Sequence, residues 1–287
     1  MAVKGTIPMN NQLKYLVVMK PASPHQTALS KAVALAQKTS VSIEVFACAY
    51  LDDNELNRHD SRQKAKRSAT QVLKKWVTNQ LASMPLQEVA TSQCIEWNSD
   101  DLLAACHRAK EINANLIIMC SEDELAGARM LIRFSPCPVL LTRANNRACS
   151  GIVLAALDTQ RIDDPHTALN HAVFAAAFSL AEDTDSTLHL ICALDEKNAV
   201  AAHLGLEFLE DTDAKQAEIA EFYNIPQNHV HVQIGNPQLV IKEWGDTLGA
   251  DILVIGTQAR KGIAGALLGN TAEKVLANMN CDVLVVN

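Results

Sequence analysis

Gly256, Gly262, Gly265 and Gly269 fall within fourteen residues, between the apolar run Asp251-Ile-Leu-Val-Ile255 and the helix-like Asn270-Thr-Ala-Glu-Lys-Val275. Glycine weakens helices and strands alike, so a cluster at a strand-to-helix junction needs a reason. The chemistry it suits is anion binding. The first N–H groups of a helix lack partners and carry partial positive charge, so a phosphate docks there readily. Asn270-Thr-Ala-Glu273 reads as a capping box with Asn270 as the cap. Gly269 then allows close approach to the backbone, Gly256 lets the chain turn out of its strand, and Arg260 and Lys261 are cations within reach of an anion or simply solvated. Neither G-x-x-x-x-G-K-[ST] nor G-x-G-x-x-G occurs, so the loop is not that of a Walker A site or a dinucleotide fold.

Other chemistry-bearing residues are weaker candidates. Asp163, Asp164 and His166 form an acid–base set in composition, but Asp164 before Pro165 reads better as a helix N-cap. His166 has a counterpart in His25, which argues for a shared structural role. His229 and His231 alternate along a strand, and with Asp158 or His189 they offer zinc-type ligands. No fixed ligand spacing supports that reading, and no metal is assigned. No G-x-S-x-G elbow and no H-E-x-x-H appears, so catalysis has no nucleophile or metal motif to rest on.

The elements that must hold these residues repeat. Ser23-Pro-His-Gln-Thr-Ala-Leu-Ser-Lys-Ala-Val33 corresponds to Asp164-Pro-His-Thr-Ala-Leu-Asn-His-Ala-Val173, Asn115-Leu-Ile-Ile118 to Asp251-Ile-Leu-Val254, and Cys137-Pro-Val-Leu-Leu141 to Cys281-Asp-Val-Leu-Val285. A repeat of about 140 residues is a duplicated domain rather than a solenoid unit. The polar stretch from Arg143 to Gly151 separates the copies, giving domains over residues 1–146 and 147–287. Strand-like runs at 15–18, 42–46, 89–95 and 116–119 alternate with helical segments, as do those at 152–156, 188–191, 230–234, 251–255 and 283–286. The fold class is therefore α/β: two tandem doubly wound domains, each a five-stranded parallel sheet with helices on both faces. Ligands of such sheets bind beyond the carboxyl ends of the strands, where the glycine loop lies.

The composition is that of a packed globular chain, with 48% hydrophobic and 20% charged residues. A net charge of −7 argues against nonspecific nucleic-acid binding, and the basic stretch Arg62-Gln-Lys-Ala-Lys-Arg67 reads as the solvated face of a helix continued by Val72, Leu73, Trp76, Val77 and Leu81. The eight cysteines include no C-x-x-C pair and sit mostly in apolar runs, as buried thiols of a reducing compartment. No signal peptide and no membrane span is legible, so the cytoplasm is the expected location.

Gly256, two residues, position 259, nine residues, then Gly269-Asn270 resembles the G-x2-G-x9-G-[ST] pattern of the universal stress protein family. Ala266-Leu-Leu-Gly-Asn-Thr-Ala-Glu273 is similar to the signature of its tandem, E-type members, and the resemblance covers nearly the whole chain. It implies ligand sensing or an adaptor role in stress resistance. In members that bind ATP the loop holds ribose and phosphates, and an aspartate after the first strand contacts adenosine; Asp158 matches that aspartate. The resemblance thus implies a site of Asp158, Gly256, Ala259, Arg260, Gly269, Asn270 and Thr271 for ATP, another nucleotide or a small anion. Ala259 stands in place of the second glycine, which predicts weakened triphosphate binding. The first half has Lys20 opposite Asp158 and the acidic Ser121-Glu-Asp-Glu-Leu125 opposite the loop, so its site is degenerate. Single-domain relatives form two-fold dimers through their last strands. A fused pair makes the same contact inside one chain, between 138–142 and 282–286, and a homodimer of such chains or an unknown protein partner is the further assembly implied. The alternatives are a nucleotide-hydrolysing enzyme and a carrier of an apolar or lipid-like ligand.

Overall fold

The computed structural model describes residues 13–21, 26–121, 125–143, 151–160, 163–194, 211–257 and 269–287. The first half contains β1 (Lys14–Val18), α1 (Thr27–Lys38), β2 (Ser42–Ala49), the short α2 (Asp53–Leu56), α3 (Arg62–Ala82), β3 (Thr91–Trp97), α4 (Asp101–Glu111), β4 (Leu116–Cys120), α5 (Leu125–Phe134) and β5 (Val139–Thr142). The second contains β6 (Ile152–Leu157), α6 (Asp164–Thr184), β7 (Thr187–Leu194), α7 (Thr212–Tyr223), a 3-10 turn (Gln227–His229), β8 (Val230–Ile234), α8 (Pro237–Leu248), β9 (Ile252–Gly256), α9 (Asn270–Asn278) and β10 (Asp282–Val286).

The strands form one sheet in the order β3-β2-β1-β4-β5-β10-β9-β6-β7-β8. Each half is a parallel five-stranded sheet, as the alternation of strand and helix requires. The halves join through their last strands, which run antiparallel with Leu140 opposite Leu284 and Val139 opposite Val285. These central strands are buried on both faces, which is why they read as unbroken apolar runs. One face packs under α1, α3, α6 and α7, with Leu29, Val77, Ala177 and Ile219 against it. The other packs under α4, α5, α8 and α9, with Leu102, Leu131, Ile241 and Leu276. A buried ion pair also crosses between the halves, from Lys31 of α1 to Asp282 at the start of β10, and the Arg143 N–H donates to Asp282 Oδ1 at 2.8 Å.

Several element ends differ from the sequence reading. The cap of α6 is Asp163, whose carboxylate accepts from the His166 N–H at 3.0 Å, and Asp164 and Pro165 are its first two helical residues. Proline suits the second position as well as the first, so the cap falls one residue earlier than the sequence suggests. Helix α1 starts at Thr27 after Gln26, which makes no side-chain cap bond; Ser23 and Pro24 lie outside the described residues. Strand β3 starts at Thr91, because Glu88 takes a positive φ of 69° and the Val89 N–H closes a turn onto Leu86. In α3, Leu73 and Val77 are buried and Trp76 and Leu81 pack against them, but Val72 is 67% exposed on the cationic side.

Candidate functional site

Strands β6 and β9 are parallel neighbours, with Ala155 opposite Val254, so the residues that follow them emerge together at one edge of the sheet. Asp158 follows β6 and is exposed. Its backbone is held by Asn170 of α6, whose Oδ1 accepts from the Asp158 N–H at 3.0 Å and whose Nδ2 donates to the Asp158 carbonyl at 2.7 Å. The next residue, Thr159, has a buried hydroxyl whose one partner among the described residues is the Cys192 thiol of β7, a weak one. Buried hydroxyls nearly always find an oxygen or nitrogen partner, so one left to a thiol at the end of this strand stands out. The Cys192 thiol of β7 lies near enough for the hydroxyl to lower its pKa, against a larger rise from burial that takes it to about 12.

Gly256 ends β9, and its φ is not in the left-handed range, so a sharp turn is not what it supplies. A Cβ there would sit 2.6 Å from Cγ of Leu169 in α6 and under 3.0 Å from both its δ carbons. The glycine makes room for the helix that also carries Asn170. Because β9 and β10 are parallel, the crossover helix α9 must begin on the carboxyl side of the strands, beside Gly256. Its cap is Gly269, with φ −70° and ψ 155°, and Asn270 is the first helical residue. The Glu273 N–H bonds to the Gly269 carbonyl at 3.0 Å, so the box capped by Asn270 is not formed. Gly269 is exposed, and a Cβ there would meet no described atom within 4 Å. Thr271 is half-buried in the first turn, and Glu273 there pairs with Arg129 of α5 at 3.6 Å. Ala259, Arg260 and Lys261 lie outside the described residues, as does the side chain of Asn270.

The register supports the comparison of the halves. Val17 pairs with Ile118 as Ala155 pairs with Val254, which sets Lys20 opposite Asp158 in the repeat. Lys20 lies 3.6 Å from Asp101, at the start of α4. In the first half the buried Ser121 hydroxyl after β4 has no hydrogen-bond partner among the described residues. Glu122 to Glu124, opposite the glycine loop, lie outside the described residues.

The histidines do not gather at this edge. His166 Nδ1 contacts the Asp163 carboxylate on the first turn of α6, as part of the cap. His229 sits in the 3-10 turn rather than on β8, which starts at Val230. Its ring and that of His231 both lie against His189 of β7, with centroids 4.5 and 5.3 Å away. His189 Nδ1 and His231 Nε2 are 3.0 Å apart and share a hydrogen bond. Burial first, then the neighbouring imidazoles, lower His189 to about 4 and depress His231 as well. Among the described residues no group of three or more His, Cys, Asp or Glu side chains is arranged to hold a metal. The described cysteines are free thiols, and burial raises Cys48 and Cys106 to about 12 and Cys137 to about 11, which removes them as nucleophiles.

Sequence reasoning missed Thr159, Asn170 and Leu169. Asn170 lies inside the repeated helix segment opposite Ser30, and that difference between the copies was its only signal.

Residues 151–287 match the Universal stress protein family. The chain is 26% identical to a Universal stress protein E homolog of Haemophilus influenzae over 94% of this chain and 95% of that protein. It is 27% identical to Universal stress protein E of Escherichia coli K12, over 94% and 92%. A putative universal stress protein of Pseudomonas aeruginosa superposes with a TM-score of 0.70 at 25% identity, over 96% of this chain and 93% of that one. The repeat, the joined parallel sheets and these similarities along the whole length agree: residues 151–287 belong to the universal stress protein family, and the whole chain is similar to its E-type proteins.

Proposed function

We propose that the protein is a ligand-sensing or adaptor protein of stress resistance, cytoplasmic and with little or no turnover. Its two domains are residues 1–146 and 147–287. Only the second carries the site, for a small anionic or nucleotide-like ligand. The ligand set is Asp158, Gly256, Ala259, Arg260, Gly269, Asn270 and Thr271, with Thr159 added to it. The observation that carries the reading is the buried, weakly partnered Thr159 hydroxyl next to Asp158, at the strand edge where α9 also begins. A ligand oxygen there gives the hydroxyl a stronger partner than the thiol does. Gly269 is exposed and places no side chain of its own between a phosphate and the first N–H groups of α9.

Calorimetry with ATP and with AMP tests the proposal on the native chain, Ala259→Gly and Gly269→Val. ATP binds weakly to the native chain and more tightly to Ala259→Gly, where each 1.4 kcal/mol regained is about tenfold in affinity. Gly269→Val loses both ligands. Unchanged binding by Gly269→Val overturns the site. Multiple turnover of ATP with magnesium makes the protein an enzyme instead, and an apolar molecule released from the purified chain makes it a carrier.

A further inference from the structure

The two ends of the sheet are related by the internal repeat but differ in charge. Residues 1–146 hold 17 Lys and Arg against 13 Asp and Glu, a net of +4; residues 147–287 hold 8 against 19, a net of −11. The contrast is sharpest on equivalent helices. Helix α3, beside β3, has six Lys and Arg and no acid; α7, beside β8, has Asp213, Glu218 and Glu221 and the single Lys215. Both helices cover the same face of the sheet, and β3 and β8 are its two outermost strands, each paired on one side only among the described residues.

On the basic end Lys66, Arg67, Thr70, Gln71 and Lys74 line a groove of about 650 Å³ against Trp97, the last residue of β3. Lys66 lies over the Trp97 ring at 5.0 Å. Arg67 and Lys74 are exposed and have no ion-pair partner among the described residues. On the acidic end Asp213, Glu218 and Glu221 are exposed, and among the described residues only Glu218 has a cation beside it, Lys215 at 2.9 Å.

We propose that the basic end of one chain docks on the acidic end of a second copy, head to tail. The repeat gives the two ends the same architecture, and the opposite charge on it makes each end the complement of the other rather than of itself. Strand direction fits. The halves are antiparallel across β5 and β10, so a copy translated along the sheet brings its β8 antiparallel to β3, and its α7 alongside α3. Antiparallel pairing of that kind already joins the halves. The contact is heterologous and relates copies by translation, so it does not close and grows with concentration. Its charges are exposed, so salt weakens it. The proposal is independent of any ligand in the second half.

Sedimentation of the full chain over a concentration series tests it, at about 20 mM and about 0.5 M salt, where screening lengths differ severalfold. The mass-average weight rises with concentration at low salt, and the apparent dissociation constant is at least about tenfold weaker at high salt. Lys66→Glu/Arg67→Glu/Lys74→Glu and Glu218→Lys/Glu221→Lys each stay monomeric at low salt, because like charges then meet. All five sites are exposed, so circular dichroism of both variants matches the native chain. Mixing the two variants restores association. A native chain monomeric at low salt overturns the proposal, as do variants that self-associate as the native chain does, or mixed variants that remain apart. A monomeric chain whose α3 face instead retains single-stranded oligonucleotide or an acidic peptide assigns that face to another partner and equally overturns it.

Discussion

Lys31→Met removes the cation that faces Asp282 between the two halves. Asp282 is fully buried and Lys31 is 8% exposed, so water cannot replace the lost partner. Removing one member of a buried ion pair costs about 3–5 kcal/mol, because the other charge is left in a low dielectric. The Arg143 N–H still bonds the carboxylate, which places the expected loss toward the lower end of that range. The pH dependence gives the sharper test. Burial already raises the Asp282 pKa above its usual value, with Lys31 opposing it. A raised folded pKa means that the native state holds the proton to higher pH than the unfolded chain, so this group lowers stability as pH rises through that window. Without Lys31 the folded pKa moves further up. The loss is therefore greatest at neutral pH and shrinks as Asp282 takes up its proton, at about 1.4 kcal/mol for each tenfold gain in the proton affinity of the folded carboxylate. Urea unfolding at pH 7 and pH 5, on the native chain, Lys31→Met and Lys31→Met/Asp282→Asn, reads this directly. The double variant should be more stable than Lys31→Met at pH 7 and no better at pH 5. A Lys31→Met loss under about 1 kcal/mol at pH 7, or a loss equal at both pH values, refutes the account.

Three further outcomes follow from the geometry. Gly256→Ala puts a Cβ 2.6 Å from Leu169 Cγ and should cost about 1–3 kcal/mol, most of it recovered in Gly256→Ala/Leu169→Ala by thermal unfolding. Asp163→Ala should lose about 1 kcal/mol of stability with the α6 cap, whereas Asp164→Ala, past the cap, should change it by only a few tenths. Leu140→Asp places a charge in the fully buried β5–β10 seam, so limited proteolysis should cut between the halves far faster than in the native chain.

The sequence by itself determined the architecture. The 140-residue repeat, the alternation of strand and helix and the apolar runs at 139–142 and 282–286 carry that information, because periodicity and burial are local properties of the chain. It also identified Gly256 and Asp158 as lying at strand ends and Gly269 as lying at a helix start, since turns and caps leave residue-type signals. Cap positions were read one residue off at Asp164 and Asn270, because any of several adjacent polar residues serves as a cap and packing selects among them. What only the tertiary structure decided is what meets across the fold. Leu169 fills the space that makes Gly256 a glycine, Asn170 clamps the Asp158 backbone, Thr159 is left with a buried hydroxyl, and Lys31 reaches Asp282 over 251 residues. The opposite charges of α3 and α7 are written in the sequence too, but only the order of the ten strands puts them at the two ends of one sheet. Such pairings depend on the register and crossing of elements distant in the chain, and no local pattern of residues encodes them.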